Sequence, residues 1–316
     1  MSKKLTILDI ARLAGVGKST VSRVLTKDPK VKPDTRKKVE QIIADSGYVP
    51  SKSAQSMRGG SQKVIGVIIS RLDSPSENLV VSALLKALYA EGYDVVIMES
   101  QFDCDKTNEH LSVLKRRNVD GVIVFGFSGC DMYALENWGH RAVVIAADST
   151  EISSVNYDNQ AVIEMALNQL RESNNSNIAF IGVDDSDVTT GLMRTQAYLS
   201  WCESHAIKPN YRSGELNHES GYRLVDDVLK PETDAIVCAS DSIALGVNKR
   251  LQELGRGDVT VFGVGGNPLL SFLFPNTLSI DPGYVEAGNQ AASLLIDQLQ
   301  NEPDVNHITL SPSLPG

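Results

Sequence analysis

The chain has 316 residues, 42% of them hydrophobic, and a formal net charge of −9. That length allows two or three domains with full-sized cores, while no apolar run reaches the ~18 residues needed to span a bilayer and no apolar stretch follows the two N-terminal lysines. A membrane anchor and a secretory signal are therefore not expected, and a cytoplasmic protein is. The net charge hides a partition. Residues 1–62 carry 13 Lys and Arg against 5 Asp and Glu, whereas the rest carries 17 against 34. A basic head suits DNA phosphate, and an acidic body resists non-specific adhesion to it.

Residues 5–25 read as two short helices joined by a tight turn. Asp9 suits the positive end of the first helix, and Ile10, Ala11 and Ala14 give it a small apolar face. Gly15 falls at the turn, where a residue without Cβ tolerates positive φ. Val21, Val24 and Leu25 recur at helical spacing in the second helix, and its other face presents Lys18, Ser19, Ser22 and Arg23, side chains long and polar enough to reach base edges or phosphates. A third helix is predicted over about Thr35–Ser46, capped by Asp34 or Thr35, buried through Val39, Ile42 and Ile43, and closed by Gly47. Ser51–Arg58 is polar and too short for an isolated helix; its one large apolar residue is Met57.

From Val64 apolar runs alternate with amphipathic stretches. The runs are 64–70, 94–99, 121–127, 142–147, 178–183, 235–239, 259–264 and 278–281. The helical stretches include 76–91, 107–118, 159–172, 190–205, 220–229, 242–254 and 284–300. Unbroken apolar strands between helices predict parallel sheets covered on both faces, and the length predicts two doubly wound α/β subdomains with a cleft between them. In such sheets ligands bind beyond the carboxyl ends of the strands. Those ends hold 71–78, Gly126-Phe127, Asp148, 184–190, Ser240-Asp241-Ser242, Gly265-Gly266-Asn267 and Asp281, a set rich in partners for sugar hydroxyls. Arg71 and Arg194 could hold an anion. The competing reading is that the Asp and Ser residues cap the following helices.

The four cysteines, 104, 130, 202 and 238, are far apart, which argues against a disulfide framework. Cys202 and His205 form one Cys-x-x-His pair where a structural zinc site needs four ligands, so no metal is expected. No Walker, Gly-x-Ser-x-Gly or His-Glu-x-x-His motif is present, and Gly263-Val-Gly-Gly-Asn-Pro268 has Pro where a dinucleotide fingerprint needs its third Gly. Neither catalytic residues nor a cofactor are expected.

The head motifs Thr6-Ile-x-Asp-Ile-Ala11, Gly15-Val16, Ser19-Thr-Val-Ser-Arg-Val-Leu25 and Gly47-Tyr-x-Pro50, with Asp120-Gly121-Val122, Arg194-x-x-Ala-Tyr198 and Ser240-Asp-x-x-Ala-Leu-Gly246 in the body, resemble the lactose/galactose repressor family of bacterial transcription regulators. The resemblance covers essentially the whole chain. It implies a helix-turn-helix head (1–50), a hinge helix or linker (51–61) and an effector domain of periplasmic-binding-protein type (62–316). Within the last, the subdomains would be about 62–158 with 284–305, and 159–283 with 306–316. It implies a homodimer on a double-stranded operator, read through Thr6, Gly17, Lys18, Ser19, Thr20, Ser22 and Arg23. Ser51, Ala54 and Met57 would serve the hinge, with Met57 as a minor-groove wedge. The chain's end at Gly316, without heptads, implies that the family's optional tetramer helix is absent.

Arg71-Leu-Asp-Ser, Ser76-Glu-Asn78, Asp187-Val-Thr-Thr-Gly191 and Asp281-Pro-Gly-Tyr284 are similar to a trehalose-responsive branch of that family, which implies trehalose 6-phosphate as effector. Its site would be Arg71, Glu77, Asn78, Leu79, Val80, Gly126, Asp187, Val188, Thr189, Thr190, Arg194, Ser242 and Tyr284. The branch's pattern has Arg where this chain has Ala147, which either weakens the case for a phosphorylated effector or shifts the charge duty to Arg71 and Arg194. The alternatives are a family member answering to an unphosphorylated sugar and a sugar-phosphate enzyme with a DNA-binding head; the latter would need a catalytic base in the cleft.

Overall fold

The computed structural model describes residues 5–25, 28–48, 62–147 and 149–314. They divide into two units, a head within 1–62 and a body over 63–316.

In the head, α1 (Ile7–Ala14) begins with a capping box: Thr6 Oγ1 accepts from the Asp9 amide while the Asp9 carboxylate accepts from the Thr6 amide. Gly15, at φ 64°, ends it in the left-handed region that the tight turn requires. α2 is Lys18–Leu25 and α3 is Pro33–Ser46. α3 starts two residues before the predicted Thr35, and neither Asp34 nor Thr35 is its cap. Pro33 occupies the first helical turn, where its missing N–H costs nothing, and Lys32 precedes it without a side-chain cap. Ile10, Ala14, Val21 and Val39 are fully buried and hold the three helices together with Ala11, Val24 and Val31.

The body is built on two parallel sheets. The first has the order β11-β5-β4-β3-β1-β2 and the second β10-β9-β8-β6-β7. Its elements in chain order are β1 (Val64–Ile69), α4 (Pro75–Ala90), β2 (Asp94–Glu99), α5 (Cys104–Arg116), β3 (Gly121–Phe125), β4 (Ala142–Ile145), β5 (Ser153–Tyr157), α6 (Asn159–Glu172) and β6 (Ile178–Val183). A wide π-type turn (Val188–Met193) then leads into α7 (Arg194–Ser204) and β7 (Tyr211–Gly214). α8 (His218–Val228), β8 (Ala235–Cys238), α9 (Asp241–Glu253), β9 (Thr260–Val264), α10 (Pro268–Leu273), β10 (Thr277–Ile280), α11 (Tyr284–Asn301) and β11 (His307–Leu310) complete it. Central strands such as β3, β6 and β8 are buried along their whole length, as apolar strands covered on both faces must be.

The chain passes between the sheets three times: after β5, after β10 and after β11. At the crossings the Asp158 amide donates to the Leu310 carbonyl at 3.0 Å, and Asp281 and Ser313 exchange two bonds of 2.9 Å. This corrects the expected boundary. β11 pairs with β5 in the first sheet, so 307–310 do not belong to the second subdomain; only the following residues return, with Ser313 bridging Asp281.

The cysteine expectation is also corrected. Cys104 and Cys130, 26 residues apart, form a disulfide with Cα atoms 5.2 Å apart. The start of α5 and the loop leaving β3 meet at the carboxyl end of the sheet, a proximity that sequence distance hides. Cys202 and Cys238 are buried and unpaired. His205 stacks on Trp201, and no metal-holding cluster occurs among the described residues. Among those residues no helix is long and apolar enough to cross a membrane.

Candidate functional site

The head presents one polar face. Val21 and Val24 of α2 are buried, which turns Lys18, Ser19 and Arg23 outward and leaves Thr20 and Ser22 at the margin. Gly17, just ahead of α2, is exposed, and its carbonyl accepts from the Thr20 and Val21 amides. Arg23, itself exposed, lies 3.9 Å from the partly buried Asp28, beyond hydrogen-bond reach, so the pair competes weakly with a phosphate. Thr6 is exposed too, although its hydroxyl is engaged in the α1 cap. Ser51, Ala54 and Met57, and with them the hinge, lie outside the described residues, as does Asp148.

In the body, the carboxyl ends of both sheets face a cavity of about 520 Å³. The first lobe lines it with Arg71, Glu77, Val80, Phe102, Phe127 and Tyr157. The second lines it with Asp184, Asp187, Thr189, Thr190, Arg194 and Leu216, and Tyr284 stands at the crossing. A smaller hollow of about 240 Å³ shares Arg71, Thr190, Arg194 and Tyr284 and adds Leu79, Ser240, Asp241 and Ser242. A third space of about 710 Å³, lined by Ala147, Asn156, Gln160, Val188 and Gln196, shares Phe127 and Tyr157 with the first. Of the sequence-predicted effector residues, all but Asn78 line one of these three spaces. Asn78 is exposed, and its side chain donates to the Leu72 carbonyl.

Many polar residues here have local duties as well. Ser74, Asp158, Asp187 and Ser240 each accept from a backbone amide three residues on, capping α4, α6, the π-type turn and α9. Asp281 accepts from the Gly283 and Tyr284 amides and so shapes a crossing. Asp241 accepts from Ser279 Oγ and the Asn267 amide; burial pushes its carboxyl above the ordinary value against those bonds. The helix-capping reading and the cleft reading thus hold together at Asp187 and Ser240.

Two groups give the cleft its electrostatic character. Glu77 Oε2 accepts from the Ser70 amide at 2.8 Å and, more loosely, from the Arg71 amide at 3.4 Å. Burial raises its carboxyl above the ordinary value, and those amides pull the other way. Arg71 Nε is buried without a hydrogen-bond partner; Asp73 lies 3.6 Å away, beyond hydrogen-bond reach. Arg194, in contrast, is only 3% exposed. Its Nε donates to Asn159 Oδ1 at 2.8 Å and its Nη1 to the Ala239 carbonyl. The two arginines are the only cations lining the three spaces among the described residues. The two are not equivalent: Arg194 is tied into the second lobe by its hydrogen bonds, whereas Arg71 Nε makes none.

Phe102, Tyr157, Asn159 and Leu216 were not singled out from the sequence. Tyr157 closes edge-on against Tyr284 at 5.2 Å, and burial raises its hydroxyl pKa strongly. Asn159 positions Arg194. Tyr157 and Asn159 flank the first crossing, and the signal that could have found them is the polar end of β5, a strand too mixed in polarity to stand out.

A basic helix-turn-helix head joined to a two-lobed body with a polar cleft defines a DNA-binding regulator. Residues 6–51 match the model for bacterial regulatory proteins of the lacI family, and 167–314 match that for a periplasmic binding protein-like domain. Over 314 residues, 99% of this chain and 100% of each relative, the chain is 45% identical to the HTH-type transcriptional regulator TreR of Escherichia coli (strain K12) and to that of Salmonella typhimurium (strain LT2). The chain belongs to the lacI family of bacterial regulatory proteins; it is a regulator of transcription and not an enzyme. Among solved structures it is similar to the trehalose repressor from Escherichia coli, with 42% identity, a TM-score of 0.78, and coverage of 80% of this chain and 99% of that one. The lac repressor dimer bound to operator and the anti-inducer ONPF shares the fold at 22% identity, with a TM-score of 0.87 over 99% of this chain and 98% of that one.

Proposed function

We propose that this protein is a cytoplasmic, dimeric repressor of a trehalose-utilisation operon, released from or held on its operator by trehalose 6-phosphate in the cleft between the two lobes. The observation that carries the effector reading is Arg71: a buried guanidinium nitrogen without a hydrogen-bond partner, on the wall of a cavity that both lobes line with hydroxyls and carboxylates as well as with apolar side chains. Sugar hydroxyls need donors and acceptors on both sides, and an anion supplies the partner that Arg71 lacks. The 45% identity to TreR over the full chain supports trehalose as the sugar. With Ala147 where an arginine would reinforce the charge, discrimination between trehalose and its phosphate rests on Arg71. The dimer reading draws on an exposed apolar surface on the second lobe: Leu269, Phe272 and Leu273 of α10, beside Leu278 on the edge strand β10.

Titration calorimetry of the full-length protein with trehalose and trehalose 6-phosphate tests the effector. The phosphate should bind more tightly, and Arg71→Ala should remove that preference. Equal binding of both sugars, unaffected by Arg71→Ala, would overturn the phosphate assignment and leave the repressor standing.

A further inference from the structure

We propose that Cys104 and Cys130 form a reversible thiol–disulfide switch that gives the cleft a second, oxidative input. The argument lies in what the bond anchors. Cys104 opens α5, and Cys130 lies in the loop leaving β3. Asn108 ties the same loop to α5: its Nδ2 donates to the Asp131 carbonyl and its Oδ1 accepts from the Ala134 amide, each at 3.0 Å. Between β3 and Cys130 the loop sends two side chains to the cleft. Phe127 packs edge-on against Phe102 with centroids 5.6 Å apart, and the Arg71 guanidinium lies 5.6 Å over the Phe102 ring. Ser128 Oγ accepts from the Val188 amide at 2.7 Å, a hydrogen bond from one lobe to the other. The disulfide thus anchors a segment that supports the Arg71 wall and clasps the opposite lobe.

Both cysteines are partly exposed, within reach of a small reagent. Cys202 and Cys238 are buried, and burial raises both of those thiols, which keeps them inert. The co-reactant is a low-molecular-weight disulfide of the glutathione type. One cysteine thiolate attacks it, forming a mixed disulfide and releasing one thiol; the second cysteine displaces the other thiol. Two protein S–H bonds become one S–S bond, and the two electrons and two protons leave on the released thiols. In the cytosol such a bond is transient and reports oxidation. Oxidised, the loop is pinned and the Ser128–Val188 clasp persists; reduced, Phe127 and Ser128 depend on the Asn108 bonds, and the cleft holds its ligand less tightly.

This inference rests on the cleft being the effector site, so the test separates the two ideas. The full-length protein is equilibrated with glutathione or with glutathione disulfide. Free thiols are then counted, amide exchange is followed at 128–134 and Val188, and trehalose and trehalose 6-phosphate are titrated. Oxidation should remove two thiols and slow exchange in both segments. It should also tighten trehalose 6-phosphate binding at least about five-fold, the low end of ordinary coupling between sites. In Cys130→Ser and in the double variant with Cys104→Ser, amide exchange and sugar-phosphate affinity should stay at the reduced protein's values with either reagent. The proposal is overturned if glutathione disulfide leaves all four thiols free, if the bond forms and exchange does not change, or if the sugar phosphate binds both forms alike. Should neither sugar bind in any form, the effector reading fails, and amide exchange alone decides the switch.

Discussion

Glu77 is an acid held where its charge is costly. Because burial raises its pKa in the folded protein above the ordinary 4.5, the native state keeps that proton longer than the unfolded chain does. The stability it contributes is therefore fully present below about pH 4.5 and is lost as pH rises through the folded value. Each unit of difference is worth roughly 1.4 kcal/mol. Glu77→Gln keeps an oxygen for the Ser70 amide and removes the ionisation. Its stability relative to the native protein, followed by urea unfolding, should improve from pH 4.5 upward and then level off. A difference that does not vary with pH would show that Glu77 titrates alike in both states. Asp241, raised by burial in the same direction, stays in both proteins and cancels. On the head, Lys18 is exposed at the start of α2, whereas Lys37 lies on α3. In operator selection Lys18→Ala should change the preferred half-site, and Lys37→Ala should weaken all sites alike or do nothing. Residue by residue, Arg71, Glu77 and Thr190 were legible because strand ends announce them. Phe102 and Leu216 were not, since an aromatic or aliphatic side chain in a loop carries no mark of the wall it will join.

Elements were legible where periodicity was strong. All eight predicted strands occur, and α6 has its predicted bounds. β5, β7 and β11 were missed for one physical reason: Ser153–Tyr157, Tyr211–Gly214 and His307–Leu310 are short and mixed in polarity, and β7 and β11 are edge strands that need no continuous apolar run. Missing β11 also misplaced the last domain boundary. The loops at the strand ends are packed closely enough to test. A Cβ added at Gly126 would lie 2.2 Å from the Ala147 Cβ, with its next contacts at an ordinary 3.4 Å. Gly126→Ala should therefore destabilise the body by about 1–3 kcal/mol in thermal or urea unfolding, the usual cost of overpacking. Adding Ala147→Gly removes the one severe clash and should recover most of the loss. Simple additivity of the two substitutions would show that the strand ends of β3 and β4 do not meet as described.

At the scale of the molecule, the second lobe carries apolar surface that one chain leaves uncovered. Phe272 is 80% exposed, and Leu269, Leu273 and Leu278 around it are between 40% and 57% exposed. A monomer has no use for such a patch, whereas a two-fold dimer buries the same patch on both partners. The head gives this a consequence for DNA. One recognition helix reads one half-site, and a second copy doubles the base contacts while making the second binding event intramolecular. Phe272→Asp should therefore yield a folded monomer by sedimentation, with sugar binding retained, because Phe272 lies outside the cleft residues. Its operator affinity should fall by 10²–10⁴, the range expected when two linked modules become one. The slope of log affinity against log salt should also become shallower, each lost phosphate contact removing about 0.9 from it. A Phe272→Asp protein that stays dimeric would place the interface elsewhere. One that is monomeric yet binds operator at full strength would show that a single head suffices.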